Sequence, residues 1–258
     1  MLKQFLTMRF LFLCFCFFVL TSCNQQSEKV DIIKEGKVLF VVSNQHTYGN
    51  TNINAANHFG EIVFAYDVFI KNKFEVDFVS PNGGAIPIGY LSTSDSIQKK
   101  YIYDAQLMDK LKTTKAPNQI QPKNYKAIYY VGGGAAMFGV PENIAIQKIA
   151  SDIYKNNGIL SAVCHGTAGI VNIKNANGKF IYQGKNVNGF PDKFENKKAK
   201  YYETFPFSIE EIIKERGGKF SYSENGWDNY FKVDGRIITG QDPTAAAAVA
   251  KEIVKQIQ

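Results

Sequence analysis

The sequence predicts a doubly wound α/β sandwich, a mostly parallel sheet with helices on both faces. Three observations lead there. Short runs rich in β-branched and aromatic residues alternate with longer stretches of roughly helical spacing. The runs end in polar or glycine-rich loops, most plainly Gly132-Gly133-Gly134. One of them, residues 158–163, stops at a cysteine, Cys164, after which small residues open what reads as a helix.

The elements follow in order. Residues 37–42 (Lys-Val-Leu-Phe-Val-Val) read as a buried strand. A polar loop over 43–59 leads to a helix over about 60–72, whose Ile62, Val63, Tyr66, Val68, Phe69 and Ile70 roughly follow helical spacing. Residues 74–79 form a second strand, stopped by Pro81-Asn82-Gly83-Gly84. An irregular stretch with a short helix near 104–111 leads to a third strand over 127–131. A helix over 142–155 precedes the strand that ends at Cys164. A helix over 205–216 stops at Gly217-Gly218, a strand spans 236–239, and an alanine-rich helix over 244–258 closes the chain. Ligands of such sheets bind outside the carboxyl ends of the strands, where the loops 43–60, 132–138 and 164–169 fall.

At 258 residues and 45% hydrophobic, the composition is that of an ordinary globular chain with material for one core. The first residues stand apart. Lys3 and Arg9 precede an unbroken apolar run over 10–20, short for a membrane span and suited to a signal peptide. The run closes in Leu20-Thr21-Ser22-Cys23, which resembles the lipobox of bacterial lipoproteins, where the cysteine is acylated and becomes the mature N-terminus. An uncleaved anchor or an ordinary secretory signal is the alternative. The expected division is a signal peptide over 1–22, a tether over 23–35 and one domain over 36–258. The protein is then held in the bacterial cell envelope, on the periplasmic or outer-membrane side, by lipid on Cys23.

Cys14 and Cys16 leave with the signal and Cys23 takes lipid, so Cys164 is the one free thiol and a disulfide framework is excluded. Loss of Lys3 and Arg9 lowers the formal charge from +7 to +5. Much of the remainder sits in Lys193, Lys197, Lys198 and Lys200, which read as a solvated face; a nucleic-acid partner is not expected.

A sharp strand-to-helix turn lifts its first side chain above the sheet edge, as in the nucleophile elbow, here with sulfur in place of a serine oxygen. A helix N-terminus behind Cys164 would favour its thiolate, and His165 could add an imidazole. A buried inert thiol is the plain alternative. Glu61 opens the first helix, either as a partner of the helix dipole or as an acid beside Cys164; spacing leaves both open. Gly133 and Gly134 either make a tight turn or aim bare amides at a developing oxyanion. His46 and His58 lack a nameable third ligand for a metal, and no metal site is expected.

Several strings together resemble the DJ-1/PfpI superfamily, which has the class I glutamine amidotransferase-like fold. They are Val163-Cys164-His165-Gly166, the Gly-Gly turn before Ala136-Met137-Phe138, and Glu61 upstream of Tyr66-Asp67-Val68-Phe69. Residues 74–81 and the string Ile238-Thr239-Gly240-Gln241-Asp242-Pro243 look like its Hsp31-like branch. The resemblance implies a flavodoxin-like sandwich with Cys164 as nucleophile, His165 beside it and Glu61 as the acid on the sulfur. It also implies an acidic residue after a Gly-Lys-x-Val-x-Gly-Phe string; that string is 184–190, and Glu195 falls at the matching place to orient His165. One departure stands out. Where the family usually reads Gly-Gly-His-Gly, this chain has Gly134 and Ala135 in the last two places, so a polar side chain is lost from the pocket wall.

The implied activity is that of a glutathione-independent glyoxalase of the D-lactate dehydratase type. Such enzymes turn methylglyoxal-like 2-oxoaldehydes into 2-hydroxy acids through a cysteine hemithioacetal, with no cofactor. The rivals are a stress-response chaperone, a cysteine redox sensor, or a PfpI-type cysteine hydrolase. Amidotransfer is disfavoured, because it needs a histidine well downstream of the elbow and none follows His165. The oligomeric state is left open, with a homodimer as one arrangement.

Overall fold

The computed structural model describes residues 35–258. The expected signal peptide, the lipid-bearing Cys23 and nearly all of the expected tether lie outside the described residues.

Strand β1 (Gly36–Val41) sits inside the sheet and is buried on both faces. Val38 and Phe40 point into one core; Leu39 and Val41 point into the other. This is why the run is continuously apolar, as parallel strands covered by helices on both sides must be. β2 (Phe74–Val79), β3 (Tyr125–Tyr130), β4 (Ile159–Val163), β5 (Phe231–Asp234) and β6 (Ile237–Gly240) complete a six-stranded sheet in the order β2-β1-β3-β4-β6-β5. All pairings are parallel except β6 with β5. The expected sandwich is therefore present.

Helices α1 (Phe59–Lys71), α2 (Ser96–Ile102) and α3 (Ala105–Lys112) pack with the C-terminal α6 (Ala246–Ile257) on one face. Helices α4 (Ile144–Lys155) and α5 (Ile209–Glu215) cover the other. Side chains cap several of them: Asn143 Oδ1 accepts from Ile146 N–H at 3.0 Å, and Ser208 Oγ accepts from Glu211 N–H at 3.2 Å. No helix among the described residues is long and apolar enough to cross a membrane.

The differences from the sequence reading are local. The helix expected over 205–216 begins only at Ile209, because Pro206 and the capping Ser208 hold the preceding residues out of it. The stretch read as irregular before residue 104 contains α2, capped by Asp95. The edge strand β5 was not read, although Asp234-Gly235, with Gly235 at φ +61°, is a hairpin turn signal. The segment after Cys164 is a 3-10 run, Cys164–Ile170, and not an α-helix.

Chain direction reverses between β1 and β3: β2 lies outward of β1, and the chain then crosses to β3 on the other side. The carboxyl ends of β1, β3 and β4 flank that point, the usual place for a ligand in a doubly wound sheet. Two backbone turns meet there closely. A Cβ on Gly166 would lie 2.3 Å from the Tyr130 carbonyl oxygen. Gly166→Ala is expected to cost about 3 kcal/mol, the upper range for overpacking against rigid neighbours. Chemical denaturation would read the loss, and a wild-type midpoint would show that the two turns can part.

Candidate active site

Cys164 leaves β4 with φ +56°, in the left-handed region that non-glycine residues rarely enter. Such strain is the mark of an elbow whose side chain is aimed by the surrounding fold. The sulfur ends at the floor of a pocket of about 420 Å³, with the residue only 4% exposed.

His165 turns back over it. Its Nδ1 lies 3.3 Å from Cys164 Sγ, and its Nε2 lies 2.8 Å from Glu195 Oε1. A carboxylate oxygen accepts, so Nε2 carries the ring proton and Nδ1 presents its lone pair to the thiol. Phe190 stacks on the imidazole at 4.7 Å, and Phe205 meets its edge at 5.5 Å. The Glu195 side chain is 5% exposed despite its lysine-rich neighbourhood. Two of those lysines face other partners, Lys193 with Glu224 and Lys197 with Asp192.

Glu61 lies in the first turn of α1, wholly buried. Oε2 accepts from Gly132 N–H at 2.7 Å, whereas Oε1 has no hydrogen-bond partner. A Cβ on Gly132 would touch both Glu61 Oε2, at 2.7 Å, and Cys164 Cβ, at 2.9 Å; glycine is what lets carboxyl and elbow converge. Burial pushes Glu61 up to about 8, with the charge of Asp242 adding to the rise and Gly132 N–H and Cys164 pulling it back. At neutral pH this carboxyl is protonated and is a donor.

The thiol differs from expectation. Burial pushes Cys164 up, as does any negative charge on Glu61, while the N–H groups of His165 and Gly133 pull it down. A short 3-10 run stands where a helix was expected, and the pull of its first amide, His165 N–H, is outweighed by burial. His165 Nδ1, at 3.3 Å, is within reach of the thiol proton.

The two glycine amides part company. Gly133, at φ +92°, lines the pocket and points its N–H at the sulfur. Gly134 N–H donates to Tyr90 Oη at 3.4 Å. His46 does not line this pocket. His58 does, but its Nδ1 caps α1 by accepting Glu61 N–H at 3.3 Å, and burial lowers its pKa to about 4. Among the described residues no cluster of three or more His, Cys, Asp or Glu side chains could hold a metal ion.

The aromatic wall of the pocket is not among the sequence-based expectations. Tyr48, Tyr90, Phe190, Phe194, Phe205 and Trp227 line it with the sulfur, Tyr90 and Trp227 being half-exposed. The density of aromatics between 190 and 205 was a readable signal for part of it. Tyr48 and Tyr90 carried none.

A strained cysteine elbow with an adjacent histidine and two unlike glutamates, on a doubly wound sheet, defines an α/β protein built around a nucleophilic thiol. The chain belongs to the DJ-1/PfpI family, whose pattern it matches over residues 57–256. It is 32% identical to the glutathione-independent glyoxalase hsp3102 of Schizosaccharomyces pombe, over 87% of this chain and 99% of that one. It is 31% identical to the glutathione-independent glyoxalase HSP31 of Saccharomyces cerevisiae, over 74% and 84%. Among solved structures, the Rapid Encystment Protein of Francisella tularensis superposes with a TM-score of 0.80 at 33% identity, covering 86% of this chain and 99% of that one.

Glu61 links stability to pH. The folded chain keeps a proton that the unfolded chain releases above the ordinary value of 4.5, so stability falls as pH rises from there to about 8 and levels off beyond. Glu61→Gln removes this dependence. The variant should gain on wild type across that window, by on the order of 3 kcal/mol at pH 7 relative to acid. Denaturation at pH 5 and 7.5 checks it; a pH-independent difference would show that Glu61 is already ionised.

Proposed function

We propose that this protein is a glutathione-independent glyoxalase that converts small 2-oxoaldehydes such as methylglyoxal into 2-hydroxy acids. The observation that carries the reading is the line Glu195–His165–Cys164 in one pocket, with a protonated Glu61 buried beneath the sulfur. The activity named for the two yeast relatives supports it.

Thiol and substrate supply what the reaction needs. His165 Nδ1 takes the thiol proton as Sγ bonds to the aldehyde carbon, and the carbonyl electron pair moves to oxygen, which Glu61 protonates. Abstraction of the remaining C–H proton by a neighbouring base places its electron pair in an enediol. Reprotonation at the adjacent carbon leaves a 2-hydroxy thioester, and water releases the acid and restores the thiol. The aldehyde carbon is oxidised and the ketone carbon reduced, so no external redox partner enters. Glu195 holds His165 in the tautomer that receives the thiol proton.

Turnover of methylglyoxal without added thiol, by a fragment starting after Cys23, tests the reading. Cys164→Ala should abolish it with the fold intact. Glu61→Gln should be nearly as damaging, and Glu195→Gln less so, since an orienting acid only biases His165. Wild type inactive on every small 2-oxoaldehyde tried would sink the enzyme and return the chaperone or sensor.

For localisation, we infer from the lipobox-like end at Cys23 that the chain is a lipid-anchored envelope protein. Cys23→Ser should move it from the membrane to the soluble or unprocessed fraction and abolish acyl labelling. Wild type without an acyl chain, freely released from cells, would refute the anchor.

A further inference from the structure

The pocket wall contains a pair of phenols, Tyr48 and Tyr90, that the reaction above does not use. Tyr48 Oη and Tyr90 Oη lie 3.0 Å apart, and Tyr90 Oη also accepts Gly134 N–H at 3.4 Å. The Tyr90 ring is fixed from behind by the neutral imidazole of His58, parallel to it at 4.9 Å. Tyr90 has φ +56°, so its backbone is strained like that of Cys164 across the same pocket. Strain of this kind persists where the fold over-determines a side chain's position.

The pair also accounts for the departure at residue 134. A Cβ there would lie 2.1 Å from Tyr48 Oη and 2.4 Å from its ring carbons. Residue 134 can be nothing larger than glycine while Tyr48 stands where it does. The phenol fills the wall that a side chain at 134 would otherwise form.

Proton bookkeeping singles out Tyr90. Tyr48 is 7% exposed, and its hydroxyl has one hydrogen-bond partner, Tyr90 Oη. If Tyr90 donated to Tyr48, the Tyr48 proton would be left unpaired in a buried wall, at the cost of an unmade hydrogen bond. The stable arrangement has Tyr48 donating to Tyr90. Tyr90 Oη then accepts from both Tyr48 and Gly134, and its own proton is free to point into the pocket. An oxygen that accepts two hydrogen bonds is a stronger donor for it.

Resting on the glyoxalase reading, we propose that Tyr90 is a further catalytic residue whose hydroxyl donates to the ketone oxygen of the bound 2-oxoaldehyde, with Tyr48 and Gly134 as its positioning support. The amides of Gly133 and Gly134 address sulfur and phenol respectively, one peptide unit apart. A 2-oxoaldehyde carries its two carbonyls on adjacent carbons, so with Sγ bonded to one, the oxygen of the other is directed towards the phenol side. Charge develops on that oxygen as the C–H proton leaves and the enediol forms. The Tyr90 O–H stabilises it there without itself being consumed.

Tyr90→Phe tests this. With methylglyoxal its kcat should fall about 100- to 1,000-fold, as for loss of one oxyanion donor, while thermal stability and the rate of Cys164 alkylation by iodoacetamide stay at wild-type values. Tyr48→Phe should lose less, because Tyr90 keeps its own proton. Wild-type kcat in Tyr90→Phe overturns the role and leaves the glyoxalase reading standing. A parallel fall in turnover and alkylation rate also overturns it, since Tyr90 would then act only by supporting the elbow. A wild type without 2-oxoaldehyde turnover removes the glyoxalase reading and this role together.

Discussion

The contact between two backbone turns, at the ends of β3 and β4, governs the rest of the site. Gly166 sits against the Tyr130 carbonyl, and Gly132 against the Val163 carbonyl, at distances that no Cβ would allow. That approach brings Gly133 N–H to the sulfur and Gly132 N–H to Glu61. It also closes the space beneath Cys164, so the carboxyl of Glu61 meets no solvent. A looser contact would admit water, and a hydrated Glu61 would return to its ordinary acidity. Backbone packing thus sets the protonation state of a side chain from another element.

The two glutamates show how environment divides one residue type into two roles. Glu61, wholly buried, holds its proton to about 8, although Gly132 N–H and Cys164 pull it down. Glu195 faces the imidazole Nε2 and fixes which nitrogen carries the ring proton. The result places the sulfur between two unlike groups, the His165 Nδ1 at 3.3 Å and the protonated carboxyl of Glu61. Such pairs with divergent environments are how one pocket holds an acid and a base together. A buried sulfur raised by desolvation is activated by a base within reach at the moment of attack.

Much of this was legible in the residues. Largely apolar runs at 37–42 and 158–163 marked strands buried on both faces, the β-branched and aromatic residues of 74–79 marked another, and the interleaved helical spacing marked the sandwich. Of the residues that local strings single out, Cys164, His165 and Glu195 line one pocket, and Glu61 lies buried beneath the sulfur. What escaped was set by tertiary contact. Gly-Thr-Ala-Gly after the elbow has no property that separates α from 3-10 winding; that is decided by the backbone of β3 pressing on Gly166. Edge strand β5 escaped because it is short and only partly buried, so its apolar pattern is weak. Its Asp-Gly turn was the readable cue.

The substitution at 134 shows the limit of reading residues one at a time. As a local string, Gly134 and Ala135 in place of His-Gly is a loss of function from the wall. In the folded chain the same glycine is the condition for Tyr48 to enter, and Tyr48 is the partner of Tyr90. Two residues far apart in sequence are coupled by one volume, and neither explains itself alone. The strain at Tyr90, Cys164 and Trp227, all with positive φ and all lining this pocket, belongs to the same argument. Conformations that local preference disfavours are gathered where three walls of one cavity must be aimed at a common point, and the stability they cost is recovered in the two cores behind the sheet.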